Sequence, residues 1–267
     1  MEWNIDPIIF GFGPFQIRYY GLMFAAGFFL GYRSMFKIYE EEHKPTKDLD
    51  MLLYMIIAGT LIGARLGHCF FYEFDYFIRH PLEVFAFWKG GLASHGGAIG
   101  VMIAIFIYTK VHKDQPFFWL ADRLARPVAL VACFIRIGNF FNSEILGKPT
   151  DLPWAVTFKR IDDLPRHPSM LYESAAYFVL YLILSFINKR YRGQTPQGLI
   201  PGLFFTWIFT ARILIEFTKE NQEAWEAGMV MNMGQILSIP AILFGLGMFY
   251  YAYKHPTPAT APKSKRV

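Results

Sequence analysis

Charge is scarce in this chain. Of its 267 residues, 18% are Asp, Glu, Lys or Arg, whereas 54% are hydrophobic and 18% aromatic. An ordinary soluble domain carries about 25% charged residues, so a water-facing surface of the usual kind is excluded. Cysteine is scarcer still. The two present, Cys69 and Cys133, both lie in apolar segments; they exclude a disulfide framework and read as buried thiols. The first 17 residues hold Glu2 and Asp6 but no Lys or Arg. The basic flank of a cleavable signal peptide is therefore missing, and the first apolar segment is expected to be a retained span. There is no paired-Asp motif, no H-E-x-x-H and no Cys/His cluster, so no metal or other cofactor is expected. The absence of G-x-S-x-G removes a hydrolase-type serine nucleophile. Nothing resembles a nucleic-acid-binding module, and the net charge of +5 suits attraction to anionic lipid.

What is present is a series of long apolar runs. Crossing a hydrocarbon core of about 30 Å takes roughly 20 residues. Seven runs approach or exceed that: Tyr19 to Met35, Leu52 to Tyr72, Leu92 to Val111, Phe117 to Arg136, Ser169 to Ile187, Leu199 to Phe217 and Met231 to Tyr253. The expected fold is an all-α polytopic membrane protein of about seven transmembrane helices, with a single membrane domain over residues 1–253. Basic residues set the orientation. Arg33, Lys37, Lys44 and Lys47 form one group, and Lys110, Lys113, Arg123 and Arg126 a second. Lys189, Arg190 and Arg192 form a third, and Lys254, Lys263, Lys265 and Arg266 a fourth. An odd number of spans places all fifteen on one side, against eleven others among the 26 basic residues. That side is expected to be cytoplasmic, with the N-terminus outside. Between spans, Glu73 to Gly91 is aromatic and amphipathic and reads as an interfacial arm. Residues 140–168 include Trp154-Ala-Val-Thr-Phe158, a short strand by composition, and read as a small external cap. Residues 254–267 read as a disordered basic tail.

Five constellations stand out. The first is Arg136-Ile-Gly-Asn139-Phe-Phe-Asn142-Ser-Glu144-Ile-Leu-Gly147, at the end of an apolar run. A charge at membrane depth costs about 2.5–3.5 kcal/mol on insertion scales. If the helix continues, Arg136, Asn139 and Ser143 share a face. A guanidinium can grip phosphate with two parallel hydrogen bonds; the alternative is a snorkelling arginine beside asparagines that cap a helix. The second is Gly90-Gly91-Leu-Ala-Ser94-His95-Gly96-Gly97-Ala-Ile-Gly100. It reads either as a tight helix-packing motif or as a setting for His95 as general base. The third is Arg212-Ile-Leu-Ile-Glu216, spaced for an intrahelical pair, with Lys219 adding positive potential one turn on. The fourth, His167-Pro-Ser-Met-Leu-Tyr172-Glu173, looks like a helix start with Glu173 in its first turn. The fifth, Arg18-Tyr19-Tyr20-Gly21, suits an aromatic belt. A transporter or flippase would also use intramembrane arginines, but no paired halves are visible and the polar residues gather toward one face.

Together these residues resemble the bacterial phosphatidylglycerol–prolipoprotein diacylglyceryl transferases. The likeness runs from Asp6-Pro-Ile-Ile-Phe10 and Tyr20-Gly-Leu through Gly63-Ala-Arg65-Leu, Ser94-His95-Gly96-Gly97, the Arg136 stretch and Pro153-Trp154-Ala to Gly234-Gln235-Ile-Leu-Ser238. The chain departs from the family pattern at Ile135, where Gly is usual, and at Met170, where Gln is common. It departs again after Glu216, where Lys219-Glu220-Asn221-Gln222 replaces an arginine and a Pro-Asp pair. The resemblance implies an enzyme of the bacterial inner membrane, with its site toward the periplasm. It implies transfer of a diacylglyceryl group from phosphatidylglycerol to the lipobox cysteine of a prolipoprotein, so the partners are that lipid, prolipoprotein signal peptides and the bilayer. By the same resemblance His95, Arg136 and Arg212 are the expected catalytic residues. Tyr20, Asn139, Glu144 and Gly147 join the two arginines in binding substrate, and Gly96, Gly97, Asn142 and Glu216 support them.

Overall fold

A computed structural model describes residues 1–12, 15–86, 91, 93–191, 194–221 and 228–256. Of the expected features, Gly90 and Leu92 of the glycine stretch, Arg192, Gln222 and the tail from residue 257 onward lie outside the described residues. The described residues divide into two compact units: Met1–Ser34 with those from Ala121 to residue 256, and Met35–Leu120.

Seven long helices occupy the seven apolar runs: α1 (Tyr19–Glu41), α2 (Thr46–Phe71), α4 (Ser94–Val111), α5 (Phe117–Asn142), α6 (Ser169–Tyr191), α7 (Leu199–Glu216) and α8 (Met233–Lys254). A short α3 (Phe74–Arg79) precedes a 3-10 turn at Pro81–Phe85. Five of them, α2, α5, α6, α7 and α8, are long and apolar enough to cross a membrane. α4 is apolar but shorter, and α1 carries Arg33, Lys37, Glu40 and Glu41 in its second half. The architecture is that of a mostly helical, multi-pass membrane protein.

In the first unit, α5, α6 and α7 pack around Ala125, Ala129, Leu180, Leu184 and Ile200. α8 begins with a reciprocal cap: the Asn232 side chain accepts from the Gln235 amide, and the Gln235 side chain accepts from the Asn232 amide. Losing such a cap costs about 0.5–2 kcal/mol. Between α5 and α6 lies a small sheet. β1 (Glu2–Trp3) runs parallel to β4 (Val156–Phe158), which pairs antiparallel with β5 (Pro165–Arg166). The strand expected near Trp154–Phe158 is thus present over its last three residues. Phe140, Val156, Phe158 and Met170 form the core beneath it, and the Trp3 ring packs against Phe140 at a centroid distance of 4.3 Å, tilted by 53°. A separate hairpin, β2 (Ile8–Phe12) with β3 (Phe15–Arg18), leads into α1.

In the second unit, α2 and α4 touch backbone to backbone. Gly59, Gly63 and Gly67 recur every fourth residue on α2 and meet Gly96 and Gly100 on α4. A Cβ on Gly63 would lie 2.8 Å from Gly100 Cα, and one on Gly67 2.7 Å from Gly96 Cα. Small residues at this spacing are what let helices approach closely in lipid, where no hydrophobic drive separates lipid from protein. The expected arm is described up to Ala86. Its Phe77 is buried while Ile78, Leu82 and Phe85 are exposed, an amphipathic arrangement. Arg65 secures it by donating to the carbonyls of Val84, Glu83 and Gly91.

Two outcomes are expected. Gly63→Leu or Gly100→Leu should prevent α2 and α4 from closing, seen as loss of monodisperse protein in detergent. Gly97→Ala should not, because a Cβ there meets only ordinary contacts near 3.5 Å. In the cap, hydrogen bonds from Arg166 hold the Asp162 carboxyl below the usual carboxylate range. A depressed folded pKa stabilises above the unfolded value of about 3.9 and is lost as pH falls through the folded value. Proteolytic protection of residues 150–166 should therefore weaken below about pH 4, and Asp162→Asn should show that weakness already at neutral pH.

Candidate active site

The Arg136 stretch is helical as far as Asn142, so α5 runs beyond the expected end of its span at Arg136. It then stops with a paired hydrogen-bond motif: Ser143 N–H donates to Phe140 O at 3.1 Å and Glu144 N–H to Asn139 O at 3.0 Å. This termination places its C′ residue in the left-handed region, where glycine is usual. Here Ser143 adopts φ 56°, and Ile145 follows at φ 59°. A β-branched residue at positive φ is a true outlier, and such strain gathers at functional sites. The helix end brings four side chains into a chain of hydrogen bonds. Arg136 Nη1 donates to Asn139 Oδ1, and Asn139 Nδ2 and Asn142 Nδ2 donate to the two oxygens of Glu144, each at 3.0 Å. Glu144 itself is exposed.

On its other edge Arg136 meets α6. Its Nε lies 2.8 Å from Glu173 Oε2. Glu173 has no exposed surface, and its second oxygen is 3.0 Å from Lys219 Nζ. Lys219 in turn lies 3.0 Å from Glu216 Oε2, and Glu216 Oε1 accepts from Asn232 Nδ2 at 3.2 Å. The α6 helix starts at Ser169, so Glu173 falls beyond its first turn, which holds no acidic residue. Its role is to receive cations, not to complement the helix dipole.

This network corrects the expected Arg212–Glu216 pair. Glu216 turns to Lys219 and Asn232. Arg212 makes no ion pair among the described residues, and its Nε is buried without a hydrogen-bond partner. The reason is competition: i,i+4 spacing permits a pair worth only about 0.2–0.5 kcal/mol on an isolated helix, and a nearly buried ammonium shared by two carboxylates outweighs it. Arg136 and Arg212 are nevertheless both near enough to the Tyr177 hydroxyl to interact with it electrostatically.

Tyr20, at the start of α1, lies over Gly138: a Cβ there would come within 2.9 Å of its ring. It is within electrostatic range of Glu144 and Arg136. Gly147 sits where the chain after α5 crosses the segment after α7. It bridges to Lys219, its carbonyl accepts from Arg166 Nη1 at 3.1 Å, and a Cβ would collide with His167 and Ser169. Geometry gives Gly147 a steric requirement independent of any ligand.

His95, Gly96 and Gly97 belong to the other unit. Gly96 is a helix-contact glycine, and Gly97 lies over Ala64. The His95 ring is exposed and rests between Phe71 and Tyr72, at centroid distances of 5.4 and 5.8 Å. No other side chain orients its nitrogens among the described residues. The same unit contains a cavity of about 810 Å³ lined by Arg65, His68, Glu73 and Phe77, where His68 Nε2 lies 3.4 Å from Glu73. No His, Cys, Asp and Glu cluster suited to a metal occurs among the described residues.

Sequence reasoning undervalued Glu173 and Lys219. The signal was there for Glu173: it is the sole charge between Ser169 and Asn188 of an apolar helix, and such a residue needs a partner. Lys219 gave none, because burial of a lysine just past a helix end depends on what surrounds it.

Comparison with known proteins identifies the family. A family model described as prolipoprotein diacylglyceryl transferase matches residues 7–251. The chain is 48% identical over 252 residues to a phosphatidylglycerol–prolipoprotein diacylglyceryl transferase of Tolumonas auensis, covering 94% of this chain and 97% of the relative. It is 45% identical to the protein of that name from Chloroherpeton thalassium, over 94% of each. With that of Bacteroides fragilis it shares 41% identity, over 95% of this chain and 96% of the relative. This chain belongs to the prolipoprotein diacylglyceryl transferase family.

Proposed function

We propose that the chain moves the diacylglyceryl group of phosphatidylglycerol onto the lipobox cysteine thiol of prolipoproteins, the first step of lipoprotein maturation. One observation supports it above the others. Of two guanidiniums in electrostatic range of Tyr177, Arg136 is anchored by Glu173 and Asn139, and Arg212 retains a buried, unpartnered Nε. An anchored cation beside an uncommitted one suits a single anionic group, and a phosphodiester has the oxygens to engage both.

In the reaction the thiol sulfur attacks an sp³ carbon of the glyceryl group. A C–S bond forms, the C–O bond to phosphorus breaks, and its electron pair leaves on glycerol phosphate. A thiol of pKa about 8.5 is mostly protonated at neutral pH, so a base must take its proton. His95 is proposed for this role on the chemistry of its imidazole. Arg136 and Arg212 meet the charge that develops on the phosphate oxygens. Asn139 and Glu144 orient Arg136 and the headgroup, Tyr20 borders the lipid entry, and Gly147, Asn142, Gly96, Gly97 and Glu216 keep the surrounding backbone and charges in place.

The reading extends to topology: seven spans in the bacterial inner membrane, with the N-terminus and the 140–168 cap periplasmic. The arm lies along the interface, the 254–267 tail is cytoplasmic, and residues 1–253 act as one catalytic domain.

In proteoliposomes with labelled phosphatidylglycerol and a lipobox peptide, Arg136→Ala or Arg212→Ala should lower thioether formation by at least about 10²-fold while the protein still inserts. Near-normal turnover in either removes that arginine from the mechanism. For His95, the pH–rate profile of the wild type should differ from that of His95→Gln if the imidazole is the proton acceptor. An unchanged rate and profile in His95→Gln would assign the base elsewhere.

A further inference from the structure

Lys219 is 2% exposed, and its ammonium sits 3.0 Å from carboxylate oxygens of both Glu173 and Glu216. Its backbone is held on both sides. Lys148 N–H donates to Thr218 O at 2.8 Å, Glu220 N–H to Leu146 O at 3.2 Å, and Lys219 itself bridges to Gly147. Glu216 is drawn toward α8 as well. Gly234 leaves room for it: a Cβ there would lie 2.9 Å from Glu216 Cδ and 3.1 Å from each of its oxygens. Four residues before Glu216, at pairing distance along the same helix, Arg212 has a buried Nε with no partner.

We infer that Lys219 is a positioning residue: by holding Glu216 toward Glu173 and α8, it keeps that carboxylate off Arg212 and leaves the Arg212 guanidinium available to a phosphodiester. The inference rests on the transferase reading above. The charge count supports it. Apart from the solvent-exposed Glu144, three cations, Arg136, Arg212 and Lys219, stand against two buried carboxylates, Glu173 and Glu216, an excess of one positive charge, which a phosphodiester anion neutralises. Without the ammonium the excess is zero. Glu216 is then released to pair with Arg212, and the lipid must compete with a carboxylate tethered at high effective concentration. Changing Glu216 to a neutral residue at the same time restores the excess of one.

The test uses the purified full chain in mixed micelles, with a lipobox peptide and a varied mole fraction of phosphatidylglycerol. Lys219→Met should raise KM for the lipid by at least about tenfold. The double variant Lys219→Met/Glu216→Gln should return KM to within about threefold of Glu216→Gln alone, although the double variant lacks the same buried ammonium as Lys219→Met and those two variants should both melt lower than wild type. Lys219→Arg, which keeps the charge, should bind lipid like wild type. A loss of packing alone predicts the opposite order, with the double variant the worse. If Lys219→Met does not fold, Gly234→Ala provides the same test. It crowds Glu216 from the α8 side and should raise KM in a way that Glu216→Gln relieves. An unchanged KM in Lys219→Met or Gly234→Ala, or a double variant no better than Lys219→Met, overturns the role of Lys219. Absence of thioether product with the wild-type chain instead overturns the transferase reading and the inference with it.

Discussion

A carboxylate with no exposed surface among apolar helices must be met by cations, and Glu173 is met by two, Arg136 from α5 and Lys219 from beyond α7. Leaving a buried ion without its partner costs about 3–5 kcal/mol, so this interaction constrains everything near it. Arg136 is held along one edge, which directs its remaining donors toward Asn139. Lys219 is fixed in place and in turn decides the direction of Glu216. A site for an anion in a low-dielectric setting needs donors already aimed, because reorienting them during reaction is what costs rate. On the proposed transfer chemistry, the Glu173 anchor would supply that for Arg136, and the diversion of Glu216 would supply it for Arg212.

The surrounding backbone is shaped to the same end. The end of α5 is closed by Ser143 in a conformation that favours glycine, followed by Ile145 at positive φ. That turn brings Glu144 back to both Asn139 and Asn142. Gly147 then lets two chain segments cross in contact, with Arg166 tying the carbonyl of Gly147 to Asp162 and Glu220. Strain of this kind persists only where neighbours over-determine it, and here the cap core of Phe140, Val156, Phe158 and Met170 does so. In the other unit the constraint is steric: glycines at four-residue spacing permit α2 and α4 to touch, and His95 lies in the first turn of the helix that carries Gly96 and Gly100.

All seven apolar runs emerged as helices because each is long and apolar, and in lipid the backbone must satisfy its own hydrogen bonds. Pro127 and Pro240 lie inside α5 and α8 without ending them. The short strand at Val156–Phe158 was legible from composition, whereas its parallel partner Glu2–Trp3 was not, since pairing across some 150 residues leaves no local trace. Arg136 and Asn139 were legible as neighbours because three-residue spacing on a helix brings side chains together.

Partner choice among charges was a different matter. Arg212 and Glu216 were spaced to pair, and spacing only permits a contact. Long side chains select partners from whatever helices surround them, and a desolvated ammonium between two carboxylates is stronger than a single intrahelical pair. The sequence by itself determined that apolar helices would carry a cluster of arginines, carboxylates and amides at one end. Only the tertiary structure decided which carboxylate neutralises which cation, because that depends on distances between helices that are far apart along the chain.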